Sequence, residues 1–334
     1  MTTAAVPTAR PGLGAVLSRR ASVVPALAAV AILLVLMTGA QIYFGNFVTP
    51  RVLSALLLDN AYLLILAVGM TFVILTGGID LSVGSVLALT GILGARMMAA
   101  DVSPALVVPV MLLTGATIGL LIGVLVQFFD VQPFIASLAG LFLARGLAFV
   151  VSLKSIRVEE TSVLWLQSTR WRVGDWYITP TGILALLVVM AGAFVLAYSR
   201  FGRTIYAIGG NEQSARLMGL EVARTKVLVY VISGSCSGLA GLVLTAYSGA
   251  GYPRNGIGTE LDVIAAVVIG GTLLSGGTGY VLGSMVGVFV YGTIKTVISF
   301  KGAEQAWMQI TVGLLLLLFI VVQRVIVARS ERRR

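Results

Sequence analysis

The sequence predicts an all-α, polytopic membrane protein of about ten transmembrane helices with both termini in the cytoplasm. Three observations carry this. Of 334 residues, 58% are apolar and only 11% are charged, too little charge for a soluble domain of this size. Apolar runs of about 20 residues, the length that crosses a bilayer as a helix, recur from end to end. No polar stretch is long enough to hold a second, soluble domain.

Composition removes several chemistries. Histidine is absent and Cys236 is the single cysteine, which excludes an intrachain disulfide, a His/Cys metal site and a histidine-based triad. Cys236 lies in an apolar helix and reads as a small packing residue. No residue is assigned as catalytic and none as a metal ligand. The net charge of +10 does not indicate nucleic acid, because Arg10, Arg19, Arg20, Arg324, Arg329 and Arg332 to Arg334 flank the first and last apolar runs. There they serve as topology signals. Arg19 and Arg20 also resemble the start of a signal peptide. The run from Ala21 to Ala40 exceeds a signal core of ~7–15 residues, however, and no clear cleavage site follows, so it is kept as a membrane helix.

In chain order, the apolar runs predict helices at 22–42, 52–75, 82–99, 104–128, 133–152, 179–198, 225–247, 261–275, 281–299 and 307–325. They form a transmembrane domain over 22–327, with a cytoplasmic tail at 1–21 and a basic cytoplasmic tail at 328–334. Placing both termini inside puts 13 Lys and Arg residues in the cytoplasm against 8 outside, with Arg145 and Lys295 within helices. The positive-inside rule favours that orientation. The shortest run, 261–275, suits either a full crossing or a half-helix dipping into the membrane.

Two polar loops interrupt the pattern. The outer one, 153–178, holds Trp165, Trp171, Trp176 and Tyr177. These aromatics serve either as anchors at the membrane surface or as a platform for a partner outside. The inner one, 199–224, contains a short capped helix: Asn211 at the N-cap, Glu212 in the first turn and Gly219 as the stop. That helix presents Leu217 and Met218. Its shortness and its glycine bracket suit a knob docking into a groove of another protein better than a segment lying on lipid.

The stretch Thr76-Gly77-Gly78-Ile79-Asp80-Leu81-Ser82-Val83-Gly84-Ser85 has an echo at 275–284, Ser-Gly-Gly-Thr-Gly-Tyr-Val-Leu-Gly-Ser. Each lies between two apolar runs. Paired glycines allow a sharp turn and close helix approach, and Asp80 or Ser82 is placed to cap the helix that follows. Charges within the membrane are candidates for function. Asp59 and Arg145 each lie seven residues from the outer ends of their helices, about 10 Å deep. They are expected either to pair or to meet a substrate. Lys295, nearer the outer end, is able to snorkel.

With these motifs in view, the chain resembles the ribose-type permeases of bacterial ATP-binding cassette (ABC) sugar importers. The resemblance is carried by Asn60 with Ala67-Val68-Gly69-Met70-Thr71, by Thr76 to Ser85, by Tyr206 to Glu212, by Gly258 to Asp262, and by Gly270-Gly271-Thr272 through Gly277. It spans about residues 45 to 325 in order. Within the family it is most similar to the galactofuranose-type permeases, which share Asp59-Asn60-Ala61 and Thr272 to Gly277. The ribose branch usually carries Ser where this chain has Gly77, which argues against ribose itself.

The resemblance implies two permease chains, identical or paralogous, around a shared pathway, two cytoplasmic ATPase subunits or one tandem ATPase chain, and a periplasmic sugar-binding protein. ATP and Mg would be bound by the ATPase. The permease would cycle by alternating access. The segment of Asn211, Glu212, Ser214, Arg216, Leu217, Met218 and Gly219 would be the coupling helix. Asn60, Thr71, Gly77, Gly78, Asp80, Ser82, Ser85, Gly276 and Gly277 would be candidates for the pathway or for structural turns. Membrane lipid is the remaining partner. There is no G-x-x-x-x-G-K-[ST] phosphate loop, and Leu274-Ser275-Gly276-Gly277, which resembles the ABC ATPase signature, sits between membrane runs and reads as a turn. The rival class is an ion-coupled secondary transporter, for which Asp80 and Asp262 would be the candidate ion ligands.

Overall fold

The computed structural model describes residues 24–302 and 305–331. The first apolar run forms α1 (Val24–Phe44). The second run is broken. α2 (Pro50–Asp59) and α3 (Ala61–Leu75) meet at Asn60 with a bend of 54°. Asn60 leaves helical geometry, at φ −108° and ψ 9°. Its side-chain Nδ2 donates back to the Leu56 carbonyl at 2.8 Å, closing α2 from its own C-terminal side.

α4 (Val83–Met98), α5 (Pro104–Phe128) and α6 (Pro133–Val151) follow. The outer loop then carries β1 (Ile156–Arg157), α7 (Thr161–Ser168) and a hairpin of β2 (Trp171–Val173) and β3 (Trp176–Ile178). Next come α8 (Pro180–Tyr198), α9 (Arg200–Gly210), α10 (Glu212–Leu217) and α11 (Val222–Ser248). The chain ends through β4 (Ala250–Gly251), which pairs antiparallel with β1, then α12 (Thr259–Ile269), α13 (Val281–Phe300) and α14 (Gln305–Glu331). α2, α5, α6 and α8 all open on proline. Its fixed φ suits the first helical position, and the N–H it lacks would be unpaired there in any case.

Among the described residues, six helices are long and apolar enough to cross a membrane: α1, α5, α6, α8, α11 and α13. The bent pair α2–α3 makes a seventh if counted as one span. The expected ten crossings are therefore not reached by length alone. α4 has 16 residues and α12 only 11, so the run expected at 261–275 is a half-helix followed by a glycine turn. Burial explains how such short helices persist. α3 and α4 are buried along nearly their whole length, so their ends meet protein instead of lipid, and apolar residues surround them on every side. The tail expected at 1–21 lies outside the described residues, as do 332–334. Residues 328–331 of the expected basic tail continue α14.

The most extensive helix contact joins α5 to α11. Gly115, Gly119 and Gly123 of α5 face Gly234, Tyr230 and Val227 of α11. A Cβ on Gly115 would strike the Gly234 carbonyl, and one on Gly234 would strike the Gly115 carbonyl. Lipid tails are as apolar as leucine, so helices in a membrane gain little from hydrophobic contact. They associate instead by bringing backbones close where side chains are small.

Candidate functional site

The first glycine turn begins where α3 stops. Thr76 Oγ1 donates to the Val73 carbonyl at 2.8 Å, and Gly77 takes a left-handed conformation at φ +79°. Gly78 has ordinary φ. Glycine is needed there for space, because a Cβ would sit 2.5 Å from the Tyr230 hydroxyl. Asp80 follows, with no solvent exposure. Its Oδ1 accepts from the Ser82 backbone N–H at 2.9 Å and from Ser82 Oγ at 2.6 Å, and its Oδ2 accepts from Ser233 Oγ of α11 at 2.7 Å. Expected as a helix cap, Asp80 is instead a tie between the turn and α11. Ser82 occupies the N-cap position of α4 without making a side-chain cap bond, because its hydroxyl is committed to Asp80. Ser85 Oγ donates to the Ser82 carbonyl at 2.8 Å.

The second turn is left-handed at both Gly276 (φ +84°) and Gly277 (φ +73°). The two turns touch: Gly277 N–H donates to the Leu75 carbonyl at 2.9 Å. Beside them, Thr71 of α3 and Ser284 of α13 share a hydroxyl hydrogen bond of 2.8 Å. A third backbone closes the junction. Gly209, near the end of α9, lies against Leu75 O and Gly277 N so closely that a Cβ would overlap both. Tyr206 of the same helix donates its hydroxyl to the Gly279 carbonyl at 2.8 Å.

α9 leads directly into α10. Asn211 Oδ1 accepts from Ser214 N–H at 2.7 Å, and Gly219 stops the segment at φ +77°. Leu217 and Met218 are 83% and 67% exposed. Glu212 accepts from Arg216 at 2.6 Å and from Lys226, one turn into α11, at 3.0 Å. Burial alone would raise the Glu212 carboxyl, but the hydrogen bonds and charges of Arg216 and Lys226 outweigh it and hold the group below its usual range. The short helix is thus capped, clamped to α11 and joined through α9 to the glycine junction, with its apolar tip free.

The ion pair expected between Asp59 and Arg145 is not made. Asp59 Oδ1 accepts from the Tyr247 hydroxyl at 3.1 Å. Arg145 reaches over to the loop between β4 and α12 and donates to the carbonyls of Pro253 and Asn255 at 2.6 and 2.8 Å. Equal depth in two helices does not bring them together, because α6 packs against α4 and α5 whereas α3 packs against α8, α11, α12 and α13. Asn60 is buried at that bend, and Gly292 of α13 leaves room for its amide.

On the outer loop, Trp165 and Trp171 pack edge to face at 6.0 Å, and Arg170 lies over the Tyr177 ring at 5.0 Å. Arg51, Arg170, Arg172, Trp176 and Tyr177 line a cavity of about 570 Å³. Ser233, Tyr230 and Gly209, which complete the Asp80 tie and the glycine junction, were not expected at the site. A signal for the first two was present: Ser233, Gly234, Ser237, Gly238 and Gly241 place small residues at helical spacing in α11, the mark of a close helix contact.

Residues 52–321 match the family model described as "Branched-chain amino acid transport system / permease component". The chain is 43% identical over 312 residues to the fructose import permease protein FruG of Bifidobacterium longum, covering 91% of this chain and 92% of that one. It is 45% identical over 294 residues to the inner membrane ABC transporter permease protein YjfF of Escherichia coli, covering 87% and 89%. It is 38% identical over 295 residues to the ribose import permease protein RbsC of Escherichia coli, covering 87% and 91%. No solved structure matches the chain.

Proposed function

The chain belongs to the branched-chain amino acid transport system / permease component family and is a ribose-type ABC sugar permease, a multi-pass protein of the bacterial inner membrane; from that premise we propose that it carries a neutral monosaccharide from periplasm to cytoplasm by alternating access. The class of sugar extends to pentoses and hexoses such as ribose or galactofuranose. The observation that supports the mechanism is the continuity from α10 to the glycine junction. A partner ATPase, binding ATP and Mg, would engage Leu217 and Met218. Any displacement of α10 would pass through Asn211 to Gly209, which is wedged between the two glycine turns. The turns end α3 and precede α13, so moving them re-aims the helices around the pathway.

A second permease chain, identical or paralogous, would complete that pathway, and a periplasmic binding protein would deliver sugar to the arginine- and tryptophan-lined outer loop. Nucleic acid has no part. An ion-coupled mechanism is disfavoured by Asp80, whose two oxygens are both taken by protein donors.

The test is reconstitution of the permease with its ATPase and binding protein in proteoliposomes. Uptake of labelled sugar that requires ATP and the binding protein is expected. Uptake driven by a sodium or proton gradient without ATP would overturn the reading.

A further inference from the structure

A group of polar and aromatic side chains gathers in the outer half of the molecule, away from the glycine junction. Asp59 ends the ten-residue α2, about 14 Å from that helix's outer end. Its carboxylate holds the Tyr247 hydroxyl. Tyr62, in the first turn of α3, lies within electrostatic reach of Asp59, Tyr247 and Asp262. Asp262, in the first turn of α12, interacts with the Tyr291 hydroxyl and with the charge of Lys295. Lys295 is exposed, one turn beyond Tyr291 on α13 and about 8 Å inside that helix's end at Phe300. Three separate helices and one helix bend therefore bring two carboxylates, three phenols and one ammonium to one place.

Charged groups at this depth do not face hydrocarbon. They face water, or each other inside protein. Lys295 is not enclosed by protein, and the Tyr62 hydroxyl makes no hydrogen bond among the described residues. The group therefore has an open side at the surface of this chain. Its chemistry suits a polyol. Carboxylates accept paired hydrogen bonds from neighbouring hydroxyls, phenols both donate and accept, the ammonium donates, and tyrosine rings offer apolar faces to the C–H side of a sugar ring. A bound cation fits poorly, because Lys295 already places a positive charge beside Asp262 and Tyr247 already occupies Asp59.

We propose that Asp59, Tyr62, Tyr247, Asp262, Tyr291 and Lys295 form a sugar-contact site in the outer half of the transport pathway. This rests on the reading of the chain as a sugar permease and names the side chains the sugar would meet.

Two measurements test it. The first uses Lys295→Cys in a Cys236→Ala background, which leaves one thiol. A membrane-impermeant maleimide added from outside should label it, and millimolar transported sugar should slow that labelling. Absence of labelling would mean that the face is closed by protein or lipid and would overturn the proposal. The second is uptake by the reconstituted complex carrying Tyr62→Phe, a change that keeps the ring. Losing one hydrogen bond should raise the sugar concentration for half-maximal uptake by roughly 3–10-fold and alter competition between epimeric sugars. Wild-type kinetics and competition, together with labelling that sugar does not slow, would show a water-filled space without sugar contact and would overturn the proposal while leaving the permease reading intact. Failure of the wild-type complex to take up any sugar would instead remove both.

Discussion

Leu75 and Gly277 share a backbone hydrogen bond of 2.9 Å, in which the second glycine turn supplies the donor for a carbonyl left free at the end of α3. The last carbonyls of any helix lack intrahelical partners and must find them elsewhere. Here the partner comes from a turn about two hundred residues further along the chain. The two turns therefore stabilise each other, and neither is complete alone.

Gly77 and Gly78 should fail for different reasons. Gly77→Ala forces a side chain into the left-handed region and should destabilise the detergent-solubilised protein by about 1–2 kcal/mol. Gly78→Ala meets no backbone strain but collides with the Tyr230 hydroxyl, which is itself buried without a hydrogen-bond partner. Tyr230→Phe should restore Gly78→Ala toward wild-type stability and leave Gly77→Ala unrepaired. Equal rescue of both, in thermal unfolding, would show that the clash is not the cause.

Asp80→Ala leaves the Ser82 N–H and the Ser233 hydroxyl without their acceptor, and each buried donor left unpaired costs about 1–3 kcal/mol. Asp80→Asn keeps one acceptor oxygen, and serine hydroxyls can turn to accept from the new amide. Folded yield should therefore be poor for the alanine variant and near normal for the asparagine variant. Equal yields would show that the tie contributes nothing to folding.

Arg145→Gln and Asp59→Asn should add independently, since the two residues serve different partners. Arg145→Gln should loosen the segment 250–258, read as faster hydrogen exchange there, because it removes the donor to Pro253 and Asn255. Asp59→Asn should leave that exchange unchanged. Mutual rescue in the double variant, measured as folded yield, would revive the ion pair that the structure lacks.

The Glu212 clamp predicts a pH dependence. Its carboxyl lies below the ordinary 4.5 in the folded protein. Its contribution is therefore fully present above pH 4.5 and is lost as pH falls through the lower folded value. Protection of α10 from hydrogen exchange should exceed that of Glu212→Gln at pH 7, and the difference should shrink as pH falls below 4.5. A difference that stays constant down to pH 3 would mean that the charge is irrelevant.

The coupling surface predicts a separable defect. Leu217→Asp places a charge on the exposed tip of α10 without touching Asn211, Lys226 or Gly219. ATP-dependent uptake should fall at least tenfold, about 1.4 kcal/mol of lost contact, while membrane insertion stays normal. Normal sugar-stimulated ATPase activity in the assembled complex would remove Leu217 from the contact.

What the sequence disclosed followed local rules. The cap at Asn211 and the stop at Gly219 depend on residues a few places apart, so they were legible, whereas the run at 261–275 was left open between a full crossing and a half-helix. The bend at Asn60, the Asp80–Ser233 tie and the true partners of Asp59 and Arg145 depend on which helices become neighbours. Hydropathy gives depth along a helix and says nothing of its bearing around the bundle, so two charges at equal depth looked like a pair when they were not.

The reciprocal contact of Gly115 with Gly234 has a consequence for how this protein can change. Each residue excludes a Cβ on the other side, so no size swap between them is available: a larger residue on one helix has no smaller residue to meet on its partner. Every amino acid other than glycine carries a Cβ, so neither position has a neutral neighbour in sequence space. Substitution in this chain is then confined to the surfaces around the pair, which holds α5 and α11 together as a single strut.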